Sequence, residues 1–374
     1  MGGLLIRLSK SVVGKQEIAA VTTVLERGFL GMGGEVRLFE EELSSFFSSR
    51  GVVCVNTGTA ALQLALQALS VGPGDEVLVP SLTYVASFQA ISACGATPVA
   101  CDVDERNGLL DLEDAARRLT PRTRVVMPVH YASSVGDLDA LYGFAARHGL
   151  RVVEDAAHAF GCEYKGQRIG GIGDVVCFSF DGIKNITSGE GGAVVTSDAE
   201  VLARVQDCRL LGVEKDSAKR YVGERSWEFD VTEQGWRYHM SDIMAAIGRV
   251  QLRRFEQEFK PRRIQLAQRY QAMLNEVPGI VLLDADYGPT VPHIFPIRIL
   301  DGQREKVRSE LLEKNVQVGI HYQPNHLLTK FGGGKVSLPV TELLYRELLS
   351  LPLHPDLTES EVDQIVATIR NCLS

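Results

Sequence analysis

Residues 52–69 read VVCVNTGTAALQLALQAL, and their order sets the fold. Residues 52–55 form an apolar run without a polar face, as a strand covered on both sides requires. Asn56-Thr57-Gly58-Thr59 then opens directly into a helical stretch at 60–69. The same alternation continues along the chain. Apolar runs at 77–79, 98–101, 125–127 and 152–153 read as strands, with helical stretches at 84–93, 112–119 and 138–148. This rhythm predicts an α/β fold, a parallel sheet with helices on both faces. Ligands in such sheets bind beyond the carboxyl ends of the strands.

Those ends carry the chain's candidate chemistry. At the first, a glycine and hydroxyls at a helix start offer free N–H groups to an anion, or else Thr57 is an ordinary N-cap. No Gly-Lys-Ser/Thr follows, so it is not a nucleotide-binding P-loop. The second strand ends in Pro80-Ser81-Leu82-Thr83-Tyr84, setting an aromatic at the rim, either to stack on a planar ring or to join the core. The fifth runs into Glu154-Asp155-Ala156-Ala157-His158. Strand alternation sends the two carboxylates to opposite faces, so one of them looks into a cleft. His158 stacks, donates or is structural.

Residues 174–196, DVVCFSFDGIKNITSGEGGAVVT, place Lys184 in a Gly-rich loop between strands at 175–178 and 193–195. A buried lysine loses proton affinity and can then attack a carbonyl carbon. A lone loop lysine is ordinarily solvated. Here a helix start at Gly58, an acid at Asp155 and an aromatic at Tyr84 converge on the same sheet edge.

Elsewhere, helical spacing at 14–27 is broken by GFLGMGG at 28–34 and resumes at 36–47. A helix is expected at 199–211, followed by a polar segment at 212–234 that covers a site. A long helix at 241–275 leaves the first domain, broken or kinked at Pro261. Arg253-Arg254 and Arg262-Arg263 on it read as a solvated face. The last hundred residues change rhythm, with strands at 293–299 and 316–320 and helices at 303–314, 341–349 and 358–372. The expected division is a large domain at 1–255 and a smaller α+β domain at 256–374.

The chain has 374 residues, 45% of them hydrophobic, enough for a large core. A net charge of −8 argues against a nucleic-acid partner. The 7 cysteines show no CxxC spacing, so no metal site is expected and a reducing cytoplasm is. No stretch approaches the roughly 18 apolar residues of a membrane span.

Several motifs occur in one order: NTGTAAL at 56–62, GPGDEV and PSLTY at 72–84, EDAAHAFG at 154–161, FSFDGIKNITSGEGG at 178–192, HYQPNH at 321–326 and LPLHPDLT at 351–358. Together they resemble the DegT/DnrJ/EryC1/StrS family of nucleotide-sugar aminotransferases, from about Lys10 to the C-terminus. The resemblance implies a type I, aspartate-aminotransferase-like fold: a large three-layer domain with a mostly parallel seven-stranded sheet, and a smaller C-terminal domain. It implies a homodimer with shared active sites and pyridoxal 5'-phosphate (PLP) as cofactor. Lys184 would carry the cofactor and shuttle protons, and Asp155 would hold its ring nitrogen protonated. His158 and Tyr84 would pack against its faces, and Gly58, Thr59 and Ser179 would bind its phosphate. Where the family reads Gly-Tyr-Asn-Tyr-Arg-Met, this chain has GWRYHM at 235–240, so Arg237 would reach across to the partner's phosphate. The loop HYASSVG at 130–136 also lacks the family's Gly-Gln after the Tyr.

The implied reaction takes an amino group from L-glutamate and gives it to the keto carbon of a nucleotide-linked sugar. Lysine rather than histidine at 184 points to amino transfer and not dehydration. KNITSGEGG resembles the form found in enzymes that aminate C4 of 4-keto-6-deoxy sugars, with a dTDP sugar expected first. A C3 enzyme, or one using UDP- or GDP-sugars, is the alternative. Arg225, His321, Tyr322 and His326 are candidates for holding sugar or diphosphate. Two rivals remain: a nicotinamide enzyme, against which no strand opens into GxGxxG, and a non-catalytic sensor, against which Asp155 and Lys184 are both present.

Overall fold

The computed structural model describes residues 5–225 and 227–374. In chain order the first nine strands are β1 (Gly51–Val55), β2 (Glu76–Pro80), β3 (Thr97–Cys101), β4 (Thr123–Val126), β5 (Arg151–Asp155), β6 (Glu163–Tyr164), β7 (Gln167–Arg168), β8 (Val175–Ser179) and β9 (Gly192–Thr196). β6 and β7 pair only with each other. The remaining seven form one sheet in the order β1-β9-β8-β5-β4-β2-β3. From β8 to β3 every pairing is parallel, whereas β9 runs antiparallel to both of its neighbours. The chain therefore passes from β8 to β9 through a loop at one end of the sheet, without a crossover helix.

Strand alternation splits the apolar side chains between two cores. Val52, Cys54, Leu78, Val152 and Val176 enter one, which also holds Phe39 and Phe160. Val53, Val55, Val77, Val153 and Val175 enter the other, with the apolar side chains of helix Gly58–Ala68. Two opposed cores on a single sheet make the three layers that a run of continuously apolar strands demands.

A third core gathers Ile6, helix Lys260–Leu274, helix Glu359–Leu373 and a second sheet. That sheet is antiparallel, ordered β10 (Ile280–Leu282), β11 (Phe295–Ile299), β12 (Leu348–Leu351).

Several expected elements differ. Residues 316–320 are not a strand, because Val316 bridges Ile6 while Gly319 bridges Ser350. The segment changes partner before a ladder can form. β12 lies instead within the stretch read as helix 341–349: the helix is Pro339–Glu347, and the leucine run after it is extended. A short apolar run carries no period of its own. The helix expected at 199–211 stops at Cys208, and helix Asp216–Tyr221 forms inside the polar segment 212–234. Pro261 does not break the long helix. A π-helical turn, Phe255–Phe259, precedes it, and Pro261 sits in the first turn of Lys260–Leu274. The widened turn shifts the hydrogen-bond ladder where proline cannot donate. Arg263, read as solvated, is 1% exposed.

Arg209, fully buried, ties the first layer to the sheet. It donates to Glu40, to the Cys54 carbonyl at 2.6 Å and to the Tyr221 hydroxyl at 2.7 Å, while Glu40 accepts the Cys54 N–H at 2.8 Å. Removing one member of a buried ion pair costs about 3–5 kcal/mol, since the other charge is stranded. Glu40→Ala is expected to lower the unfolding free energy by about that much in urea titration, and Glu40→Gln by less.

Candidate active site

A cleft of about 470 Å³ opens beyond the carboxyl ends of β1, β2, β5 and β8. One end is the start of helix Gly58–Ala68. Thr57 is its N-cap and accepts the Ala60 N–H at 3.0 Å. The N–H groups of Gly58 and Thr59 have no acceptor within the helix, and they face the cleft with the helix dipole behind them. The two readings of this motif are thus compatible. Backbone packing at this point leaves no room for side chains. A Cβ on Gly58 would lie 2.8 Å from Ser179 Cβ, and one on Gly192 would lie 2.6 Å from the Thr57 carbonyl oxygen. Ser179 is thereby held against the helix start.

Asp155 lines the cleft and Glu154 does not. Glu154 faces away, accepting from the Tyr142 hydroxyl at 2.6 Å and pairing with His130 Nε2 at 2.7 Å. Asp155 is 6% exposed and accepts from the Ser87 hydroxyl at 2.7 Å and the Ala157 N–H at 3.2 Å. A buried carboxylate with so few donors retains capacity for a further charge-assisted hydrogen bond.

Lys184 lies in the loop between β8 and β9. Its side chain is partly open only because it forms part of the cleft wall. Burial pushes its amine down to about 8, against the opposing pull of Asp155 and Asp181. His293 Nε2 lies 3.4 Å from the Lys184 Nζ.

The rim is aromatic. Tyr84 caps helix Val85–Ala93, is 60% exposed, and stands 5.6 Å from the Tyr322 ring, centroid to centroid. The Tyr322 hydroxyl is 3.0 Å from His158 Nε2. Burial holds both His158 and His321 below the usual imidazole range, His321 at about 4. His321 lines the cleft and its Nδ1 lies 2.8 Å from the Ser350 hydroxyl.

Three expected residues stand outside the cleft. His326 is buried behind it, with Nδ1 2.8 Å from Ser81 Oγ and Nε2 3.4 Å from Glu342. Arg225 is exposed in the loop after helix Asp216–Tyr221. Arg237 is exposed on an extended segment whose neighbours, Trp236 and Tyr238, bond Gln67 and Gln63 of helix Gly58–Ala68. Ser87, Asp181 and His293 were not singled out from the sequence. Ser87 is one of two serines in the mostly apolar helix Val85–Ala93, and His293 precedes a strand without any motif around it.

The chain matches the model of the DegT/DnrJ/EryC1/StrS aminotransferase family over residues 12–370. It belongs to that family. It is 36% identical over 373 residues to the spore coat polysaccharide biosynthesis protein SpsC of Bacillus subtilis, covering 97% of this chain and 96% of that one. Among solved structures, DesV of S. venezuelae superposes with a TM-score of 0.87 at 37% identity, over 95% of this chain and 93% of that chain. Spr1654 of Streptococcus pneumoniae, solved in PLP and PMP forms, gives 0.91 at 30% identity over 99% of this chain and 98% of that chain. The fold is that of type I PLP-dependent transferases, and the enzyme is a PLP-dependent sugar aminotransferase.

The residues present suit that cofactor. The side-chain-free cradle at Gly58 and Gly192, with its free N–H groups, fits a phosphate. The lysine amine and the buried acid belong to the same cleft. Overpacking a tight contact costs about 1–3 kcal/mol. Gly58→Ala is therefore expected to weaken PLP binding between about fivefold and a hundredfold, measured by titrating cofactor-free protein.

Proposed function

We propose that this enzyme moves the amino group of L-glutamate onto the C4 keto carbon of a nucleotide-linked 4-keto-6-deoxy sugar, with a dTDP sugar as first candidate. The observation that carries the amino-transfer chemistry is the Lys184 amine, weakened as a base, in one cleft with the buried carboxylate of Asp155. The choice of C4 rests on KNITSGEGG at 184–192, whose Glu190 lines the same cleft.

Each residue has a role that its surroundings support. Gly58 and Thr59 N–H groups and the Ser179 hydroxyl bind the cofactor's phosphate. Asp155, oriented by Ser87, holds the ring nitrogen protonated, while His158 and Tyr84 border the ring. When bound, PLP supplies the electron sink for deprotonation at the amino-bearing carbon. Lys184 takes that proton and returns it on the carbon across the transferred nitrogen, a task suited to an amine that titrates near working pH. His321 and Tyr322 close the substrate side of the cleft. His326, bonded to Ser81, braces the turn that carries them.

We further assign a homodimer in which Arg237 serves the partner's phosphate end. Arg237 is exposed outside its own cleft, and exposed Trp227 and Phe229 lie on the polar segment just before it. Arg225 belongs to that segment and is assigned to the diphosphate of the partner's substrate. All 7 cysteines are unpaired, consistent with a reducing cytoplasm.

Two measurements test this reading. The purified enzyme should show a visible cofactor band that L-glutamate bleaches. Lys184→Ala should lose both band and turnover, and a variant with normal turnover would overturn the assignment. A band that glutamate leaves unchanged would instead indicate a sensor. Incubation with a panel of nucleotide-linked keto sugars, with products read by mass spectrometry and NMR, should place nitrogen at C4. Nitrogen at C3 would refute the positional assignment alone.

A further inference from the structure

The Lys184 amine is in contact with one imidazole that no sequence motif marks. His293 enters the site from the segment preceding β11 and is 4% exposed. Its Nε2 is 3.4 Å from Lys184 Nζ, its ring lies 4.5 Å from that of His158, and its backbone N–H donates to Ser133 Oγ at 2.9 Å. Its Nδ1 is buried without a partner among the described residues.

That missing partner decides the tautomer. Burial and the nearby Lys184 and Arg263 keep the ring neutral, so it carries one N–H. With the proton on Nδ1, a buried donor would have no acceptor, the rarer and costlier defect. With the proton on Nε2, the N–H points at the lysine nitrogen and only a lone pair is left bare. The lysine must then accept, which only a neutral amine does.

Other charged groups face the amine from every side. Asp155 and Asp181 favour its protonation, and Arg263 opposes it. His158 and His321, neutral through burial, add no charge. The Arg263 guanidinium also spaces the pair. It donates to the carbonyls of Pro292 and His293 at 3.3 Å, of Leu353 at 3.4 Å and of Lys184 at 3.5 Å. The backbones of both partners are thereby tied to helix Lys260–Leu274.

We propose that His293 is a positioning residue of the transamination: its Nε2–H donates to the Lys184 amine whenever that amine is free, holding it neutral and aimed into the cleft. The proposal rests on cofactor attachment at Lys184 and is independent of which sugar is used.

The test is the pH dependence with which cofactor-free protein captures PLP, followed by its visible band. In the native enzyme the rate climbs with pH, with its midpoint near 8, as the amine deprotonates. His293→Leu removes the N–H that only a neutral amine accepts, so protonation of the amine becomes easier beside Asp155 and Asp181 and the limb moves to higher pH. A shift of one unit makes capture at neutral pH about tenfold slower. His293→Gln, whose amide supplies an N–H, is expected to keep the native profile. A folded His293→Leu protein with an unmoved limb would overturn the proposal. So would equal losses in both variants, the outcome of a mere packing role. A direct reading of the native protein guards against misfolding of the leucine variant. In 15N-histidine NMR, the His293 signals, assigned by their loss in His293→Gln, should show the proton on Nε2, and a proton on Nδ1 refutes the inference. Native protein that captures no PLP at any pH would overturn attachment at Lys184 and the proposal with it.

Discussion

The site depends on a contact that excludes side chains. Residue 58 has no Cβ, so the first turn of its helix can lie against Ser179 at the end of β8, and residue 192 has none, so β9 can start against the Thr57 carbonyl. Three pieces of backbone meet there within van der Waals distance. The helix N-terminus is thereby brought to the mouth of the loop that carries Lys184, and the proposed phosphate site and the lysine amine become parts of one cleft. Glycine's cost in conformational entropy is offset by a geometry no other residue permits.

Behind that contact, the interior sets the proton affinities. The enzyme puts three imidazoles, a lysine and an arginine near a common cleft floor, with Asp155 and Asp181 as the counter-charges. Burial holds the imidazoles neutral, leaving the lysine as the base that changes state near working pH. Arg263 keeps its charge without a carboxylate by surrounding itself with carbonyl oxygens. The third core thus reaches the chemistry through main-chain dipoles rather than through an ion pair.

What could be read from the sequence follows from what was local. The sheet was legible because its strands are buried on both faces and so are written as short apolar runs such as 52–55 and 77–79. The meeting of Lys184, Asp155 and Gly58 in one cleft was legible because each sits at or shortly beyond a strand end, where an α/β fold binds its ligand. β12 was hidden because a leucine run fits helix and strand alike. Arg263 was misread because helical spacing cannot distinguish a solvated face from one covered by a second core. His293 was invisible for a simpler reason: its meaning comes from a contact with a residue 109 positions away.

The single reversed strand has a consequence for how such a chain can vary. Because β9 returns beside β8, the loop at 180–191 is anchored at both ends in one ladder, Ser179 opposite Gly192 and Phe178 opposite Ala193. A one-residue slip of that register would turn every following side chain to the opposite face. Gly192 would then leave the Thr57 carbonyl. Pairing at both ends of the lysine loop is therefore held as one unit with the helix start, whereas the exposed loop near Arg225 can change without disturbing the sheet.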